Sequence, residues 1–226
     1  MVAQQHRLDY GREGLKWVAI ATMTVDHIGL VLYPNIEILR MIGRIAFPLF
    51  AYLLVLGMES THNVRGYLTR LTIFAAISQI PFAMANSIQP WDKFNIFTTL
   101  ALGLILIYYM DRNSILLVVP LVASVLVPVD YGVYGAATIL FFYLLRKDWK
   151  LGAILFTGMN VLLIFTDPSV QPFALLALPL ILLHNQGKLS FYSRENGRGH
   201  PVFRKYFFYV YYPLHLLVLS VIRVIL

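Results

Sequence analysis

Residues 15–33 read LKWVAIATMTVDHIGLVLY, and this apolar run decides the fold class. A transmembrane α-helix needs about 20 consecutive, mostly apolar residues, which is the length of this stretch. The run continues past the length of a signal peptide, and no small-residue cleavage site precedes a mature domain. We therefore expect it to be retained as the first helix of a membrane protein.

The composition of the whole chain points the same way. Of the 226 residues, 59% are hydrophobic and only 13% are Asp, Glu, Lys or Arg, about half the charged share of a usual soluble domain. Such a chain lacks the polar side chains that cover a soluble enzyme, and it is too hydrophobic for intrinsic disorder. The absence of cysteine excludes disulfides, thiolate metal sites and a cysteine nucleophile.

Turn-type residues, such as those at Pro34-Asn35 and Asp111-Arg112-Asn113, divide the chain into apolar spans. The nine predicted spans are residues 15–33, 45–59, 67–86, 94–110, 114–128, 131–145, 150–166, 171–184 and 206–225. Every span must be helical in lipid, because lipid cannot hydrogen-bond an open backbone. The sequence predicts an all-α, polytopic transmembrane bundle that forms a single domain over residues 1–226. Residues 36–43 are expected to form a short interfacial or re-entrant helix.

Basic residues predict the orientation of this bundle. The net charge of +7 is better explained by cytoplasmic loops than by nucleic-acid binding. With nine spans and a cytoplasmic N-terminus, only Arg40, Arg44, Lys93 and Arg223 of the 18 Lys and Arg residues fall outside. This asymmetry predicts a multi-pass protein of the inner membrane.

Ionisable side chains inside a span are unfavourable and are therefore functional candidates. His27 follows Lys16 by eleven residues, which places both on one helix face, about 16 Å apart along the axis. Asp26 does not face its neighbour His27, so we expect it to meet a residue of another helix. The alternative is that Asp26 and His27 are only a buried ion pair and a hydrogen-bonded core histidine.

Two residues from other spans are predicted to lie near this depth. An ion pair between Asp26 and Arg44 would avoid an unpaired charge in lipid. The alternative is that Arg44 is only the counter-ion of Asp26, or an anchor whose side chain extends to the membrane interface. His215, in FFYVYYPLHLL, lies about as deep as His27 by helix rise. The alternative for His215 is a satisfied histidine in an aromatic packing helix.

The remaining polar residues are expected to be structural. Gln79 and Asn95 predict hydrogen bonds between helices. His62, His184 and His200 are predicted to lie in loops. No HExxH-like spacing is present, so no metal is expected.

This arrangement suits an acyl-CoA donor. Lys16, with Arg12 and Arg70 at the same side, would bind the phosphates, and the extended pantetheine arm would bring the thioester to His27. His27 would deprotonate an amine or hydroxyl acceptor, or take the acyl group itself. Arg44 would pair with Asp26 or stabilise the oxyanion. A small proton-coupled transporter also uses buried Asp, His and Arg, and a non-catalytic assembly or immunity partner is a third possibility.

Five stretches carry a resemblance to a known family: LKWVAIATMTVDHIG, GRIAFPLFAYLLVLGMESTHN, YLTRLTIFAAISQIPF, NIFTTLALGL and FFYVYYPLHLLVL. The sequence resembles the TraX family of conjugative-transfer proteins, which is similar to the membrane acyltransferase-3 superfamily with its basic residue, ten residues and histidine. The resemblance implies acetyl transfer from acetyl-CoA, in the best-known member to the N-terminal amine of pilin. It gives His27 the catalytic role, with Lys16 as its basic partner, and makes Asp26, Arg44 and His215 motif positions.

The sequence as a whole predicts a membrane acetyltransferase with acetyl-CoA as co-substrate. The acceptor is expected to be an amine, or less favourably a hydroxyl, on a protein or a small molecule. The predicted catalytic residues are His27, Asp26, Arg44 and His215, and the predicted donor-binding residues are Lys16, Arg12 and Arg70. Membrane lipid is expected around the bundle, and nucleic acid is not expected as a partner.

Overall fold

Helices form nearly all of the chain that the computed structural model describes, which is residues 7–166, 169–189, 192–194 and 201–226. The helices are α1 (Tyr10–Val31), α2 (Glu37–Gly43), α3 (Ala46–Ser60), α4 (Val64–Asn86), α5 (Ile96–Asp111), α6 (Val118–Leu126), α7 (Gly132–Lys147), α8 (Trp149–Thr166), α9 (Leu178–Asn185) and α10 (Pro201–Ile225). Short 3-10 turns at Ile115–Leu117 and Gln171–Ala177 lead into α6 and α9. The strands β1 (Arg7–Asp9) and β2 (Tyr192–Arg194) form one antiparallel pair.

The predicted apolar segments agree closely with these helices. Each of the nine contains a helix, and the short helix expected over residues 36–43 is α2. Helix α1 begins at Tyr10, before the predicted start at residue 15, because the Asp9 carboxylate accepts hydrogen bonds from the backbone N–H groups of Gly11 and Arg12. The early start places Arg12, as well as Lys16, on α1.

Helix α3 lies at the centre of the bundle. Every residue from Ala46 to Leu56 is buried, and the helix packs against α1, α5 and α7. A helix that is apolar on all its faces is most stable when other helices enclose it. Helix α3 therefore forms the core of the bundle around which the other helices pack.

The outward faces of the bundle are also apolar. Ile73, Ile77 and Ile80 of α4 are each more than half exposed, and Phe165 of α8 is 82% exposed. Such surface is unfavourable in water and expected in lipid. Four helical segments of the described chain have the length and composition to cross a membrane: Glu37–Ser60, Val64–Asn86, Trp149–Thr166 and Tyr206–Ile225. These features are those of a membrane protein.

Two packing contacts of α1 position the candidate site. Helix α2 folds back against the C-terminal half of α1, and α10 packs against both α1 and α4. Gly43 makes the first contact close, because a Cβ added at this position would overlap the side chain of Asp26. The result is that residues from α1, the α2–α3 corner and α10 meet at one level of the bundle.

Candidate active site

Asp26 is held by two arginines. Its Oδ1 accepts a hydrogen bond from Nη2 of Arg44 at 2.6 Å, and its Oδ2 accepts one from Nη1 of Arg40 at 2.7 Å. The predicted Asp26–Arg44 pair is thereby confirmed as a contact, and Asp26 is only 7% exposed. Arg44 lies in the corner between α2 and α3, where it also donates to the Arg40 carbonyl oxygen and to Oε1 of Gln171.

His27 and His215 form a second pair at the same level. Nδ1 of His27 lies 2.7 Å from Nε2 of His215, across the contact between α1 and α10. Nδ1 of His215 lies 2.8 Å from the carbonyl oxygen of Tyr211. The prediction that the two histidines share one depth is confirmed, and they are in direct contact.

The hydrogen-bond chain assigns the protons of this pair when both rings are neutral. A carbonyl oxygen can only accept, so Nδ1 of His215 carries its proton and donates to Tyr211. Nε2 of His215 is then a lone-pair acceptor, and Nδ1 of His27 donates to it. Nε2 of His27 is left as the unprotonated nitrogen, and no described residue hydrogen-bonds to it. That nitrogen has the form of a general base.

The aromatic neighbours of His215 fix the orientation of its ring. The ring of Tyr211 stacks on His215 with centroids 4.9 Å apart. The hydroxyl of Tyr211 is 2.7 Å from the Thr24 hydroxyl of α1, which ties α10 to α1 one turn away from His27. Tyr212 approaches both histidine rings edge-on.

Asp26, Arg44 and His27 line one cavity of about 280 Å³, which we call the histidine cavity. Its polar lining includes Asp26, His27, Arg40, Arg44, Lys93 and Asp130, and its apolar lining includes Phe47, Phe50, Phe82 and Phe208. Lys93 and Asp130 form an ion pair of 2.8 Å. A cavity with apolar walls and a few convergent polar groups is typical of a small-molecule site.

The predicted donor-binding residues line a second cavity, of about 240 Å³, which we call the basic cavity. Arg12, Lys16 and Arg70 all face it, near the N-terminal end of α1. Lys16 pairs with Glu13 at 2.6 Å, and Arg12 donates to the Ser60 hydroxyl at 3.0 Å. The buried Nε atoms of Arg12 and Arg70 have no hydrogen-bond acceptor among the described residues. Unsatisfied buried cationic donors are a feature of sites that take an anionic ligand.

One pair of rings separates the two cavities. Phe50 of α3 and Phe208 of α10 line both of them, and these rings stack with centroids 4.2 Å apart. The two rings therefore form a wall that the basic cavity and the histidine cavity share.

The sequence interpretation missed three residues of the histidine cavity. The positive-inside count treats Arg40 only as an orientation charge, although its spacing of four residues before Arg44 indicates that both can face one partner. Lys93 and Asp130 come from separate loops, and nothing in their local sequence links them.

One histidine prediction is wrong. His184 does not lie in a loop: it is a residue of α9 and is 6% exposed. Its Nδ1 is 3.0 Å from the Tyr52 hydroxyl, and its Nε2 is 3.1 Å from Oδ2 of Asp9. It therefore ties the start of α1 to α3 and α9. His62 is exposed between α3 and α4 as predicted, and His200 lies outside the described residues.

Other structural predictions concern hydrogen bonds and metals. Asn95 donates to Oε1 of Gln79 at 2.8 Å and to the Ala75 carbonyl at 2.7 Å, so the predicted link between α4 and the start of α5 is confirmed. In the described part of the chain, no group of three or more His, Asp or Glu side chains comes together as metal ligands would. The groups suited to a cofactor are the cations of the basic cavity.

Comparison with known proteins gives a family match. The family model described as TraX protein matches residues 11–223. The probable fimbrial assembly protein FimC, serogroup H1, of Dichelobacter nodosus is 28% identical over 241 residues, which cover 94% of this chain and 95% of that protein. No solved structure matches the chain.

Two further relatives align over part of their length. Protein TraX of Escherichia coli is 30% identical over 104 residues, covering 46% of this chain and 41% of that protein. An uncharacterized protein of Rickettsia prowazekii (strain Madrid E) is 36% identical over 115 residues, covering 51% of this chain and 43% of that protein. The chain thus matches less than half the length of these two relatives.

Proposed function

The chain belongs to the TraX protein family, and from that premise we propose that it is a multi-pass acetyltransferase of the inner membrane, related to the membrane acyltransferase-3 superfamily. It transfers an acetyl group from acetyl-CoA to an amine. The observation that carries the proposal is His27, which contacts His215 and lines one cavity, while a cluster of basic residues lines the next.

The basic cavity is suited to the phosphates of coenzyme A. Arg12 and Arg70 have buried Nε–H groups without acceptors among the described residues, and phosphate oxygens would satisfy them. Lys16 adds a third cation, on the same helix as His27. The helix rise separates these two residues by about 16 Å, a distance that the extended pantetheine arm can span. The thioester would then pass the rings of Phe50 and Phe208 to reach His27.

The transfer step is a base-assisted acyl transfer. Nε2 of His27 accepts a proton from the acceptor amine as the amine nitrogen bonds to the thioester carbonyl carbon. The carbon–sulfur bond then breaks, and the thiolate takes the proton from His27 to leave as coenzyme A. Arg44 and Arg40 supply positive charge near the oxygen on which negative charge develops. His215 holds His27 in the tautomer that leaves Nε2 free.

The charge distribution supports nine membrane crossings with the N-terminus inside. In that topology the basic cavity opens to the cytoplasm, where acetyl-CoA is made, and the histidine cavity lies toward the outer face. Arg40, Arg44 and Lys93 are three of the four cations on the outer side, and all three line the histidine cavity. These three residues are exceptions to the positive-inside rule, and their place in the site accounts for them.

The acceptor is proposed to be an amine on a pilus or fimbrial protein. This follows the name of one relative, the probable fimbrial assembly protein of Dichelobacter nodosus, and the activity implied by the family resemblance. A hydroxyl acceptor would use the same base in the same way.

The proposal is tested by acetyl transfer in reconstituted vesicles with labelled acetyl-CoA and amine acceptors. His27→Ala should lower the rate by about 10²- to 10⁴-fold, the usual contribution of a general base. His62→Ala, which alters an exposed histidine, is the matched control and should keep the wild-type rate. Both variants are compared by thermal unfolding in detergent, so that a loss of activity is separated from a loss of fold. Undiminished transfer by His27→Ala would reject the mechanism.

The same vesicles distinguish the competing transporter hypothesis. A proton-coupled transporter would take up its solute without forming an acetylated product, and Asp26→Asn would abolish that uptake. An acetylated product that depends on His27 excludes transport as the main activity.

A further inference from the structure

The histidine cavity holds more positive than negative charge. Arg40, Arg44 and Lys93 face it, against the two carboxylates of Asp26 and Asp130. Asp26 is shared by the two arginines, and Asp130 is paired with Lys93. Among the described residues, one positive charge of this cavity therefore has no partner of its own.

Arg40 is the arginine with free hydrogen-bonding capacity. A guanidinium has five N–H donors in a planar fork, and Arg40 uses only Nη1, which donates to Oδ2 and to the backbone carbonyl of Asp26. No described residue accepts from its Nε or Nη2. Its side chain is 25% exposed, against 11% for Arg44. Arg40 can thus bind a ligand while it keeps its contact with Asp26.

Lys93 is similarly accessible. Its side chain is 45% exposed, and its single carboxylate partner among the described residues is Asp130. An ammonium group has three N–H donors, so it can donate to a second oxygen without losing the first. The histidine cavity therefore contains two partly exposed cations, Arg40 and Lys93. It is also lined by His27 and by phenylalanine rings.

We propose that the acceptor carries an anionic group, a phosphate or a carboxylate, close to its amine, and that Arg40 and Lys93 bind this group. The assignment rests on the proposed acetyl transfer and specifies its acceptor class. Binding of the anion neutralises the excess charge of a partly desolvated cavity, and an arginine fork matches the planar geometry of paired oxygens. The amine of the same molecule then faces Nε2 of His27.

Two amines that differ only in the anion test the proposal: phosphoethanolamine and ethanolamine. With labelled acetyl-CoA, kcat/KM should be about tenfold or more higher for phosphoethanolamine, as expected for a charge-assisted pair. Arg40→Gln and Lys93→Gln should each lower the ratio of kcat/KM for phosphoethanolamine to kcat/KM for ethanolamine toward one, whatever either variant does to the rate with ethanolamine itself. Equal kcat/KM for both amines overturns the proposal and leaves acetyl transfer itself intact.

Experiments with vesicles of two lipid compositions show whether the anionic amine belongs to a lipid headgroup or to a soluble molecule. Labelled product on the lipid amine of phosphatidylethanolamine vesicles supports the proposal with a lipid headgroup as acceptor, in place of the fimbrial amine proposed above. Product only with soluble phosphoethanolamine, in phosphatidylcholine vesicles, supports it with a soluble acceptor.

A binding measurement separates this inference from the proposed function. Isothermal titration of phosphoethanolamine into the wild-type protein should show binding that Arg40→Gln loses and that Arg65→Gln, an exposed arginine outside this cavity, retains. Binding of phosphoethanolamine without any acetyl transfer would support the proposed anion site and reject the proposed acetyltransferase activity. If phosphoethanolamine binds no better than ethanolamine, the inference is overturned.

Discussion

At the level of single residues, the proton positions of the histidine pair follow from one carbonyl oxygen. The oxygen of Tyr211 can only accept, and this fixes the donor and acceptor roles through His215 to His27. In the proposed transfer, His215 would thus be a positioning residue, which acts through His27.

Removing that positioning residue should affect the chemical step. His215→Ala leaves Nδ1 of His27 without its acceptor, and we expect kcat to fall about 10²-fold, with little change in KM for acetyl-CoA. His215→Gln keeps an acceptor oxygen at the side-chain end and should retain more activity than the alanine variant. Steady-state kinetics with labelled acetyl-CoA measure both values. A fall in affinity for acetyl-CoA with kcat unchanged would contradict the assigned role.

The carboxylate of Asp26 should matter for stability as well as function. Asp26→Asn leaves Arg40 and Arg44 without a buried counter-charge, and breaking such a pair lowers the free energy of unfolding by roughly 3–5 kcal/mol. The control is Glu59→Gln, which breaks the more exposed pair with Arg146 and should lower it by about 1 kcal/mol or less. Chemical unfolding in detergent compares the two, and equal effects would contradict a buried role for Asp26.

At the level of helices, hydropathy predicted most of the architecture. All nine apolar segments are helical, since a backbone in lipid has no alternative hydrogen-bonding partner. Sequence also predicted the Asp26–Arg44 contact, because both residues had the same expected depth. Spacing indicated that Arg40 and Arg44 could share a partner, but the identity of that partner and the burial of His184 depend on how α2 and α9 are rotated and packed. The partner of His184, Asp9, is 175 residues away.

The close contact between α1 and α2 should be intolerant of a larger side chain. Gly43→Ala places a methyl group against the Asp26 side chain, so either the two helices separate or the carboxylate turns away from Arg44. We expect a lower midpoint of thermal unfolding and weaker acetyl transfer. Gly158→Ala on α8, where an added Cβ meets no atom within 4 Å, is the control and should be neutral or slightly stabilising. Similar behaviour of the two variants would argue against the close α1–α2 contact.

The N-terminal half of α1 should determine donor affinity. Lys16→Gln removes a cation from the basic cavity, and we expect KM for acetyl-CoA to rise about tenfold through loss of a charge-assisted contact, with kcat nearly unchanged. The control is Lys150→Gln, at an exposed position of α8, which lowers the net charge of the protein by the same amount. If both substitutions raise KM alike, general electrostatic attraction and not the cavity explains donor binding.

At the level of the whole molecule, the account requires the two cavities to open to opposite sides of the membrane. The chain has no cysteine, so a single introduced cysteine reports its side without background. Trp91→Cys should react with an impermeant maleimide applied from the outer face, and His62→Cys only with reagent applied from the cytoplasmic face. Labelling of both from the same face would contradict the nine-span topology.

The position of coenzyme A tests the central claim most directly. A cryo-EM structure of the protein with a non-hydrolysable acetyl-CoA analogue should show phosphate density beside Arg12, Lys16 and Arg70, with the pantetheine arm passing Phe50 and Phe208. The acetyl carbonyl should lie within reach of Nε2 of His27. Density for the analogue at another surface, or for a lipid acyl chain in its place, would contradict the account.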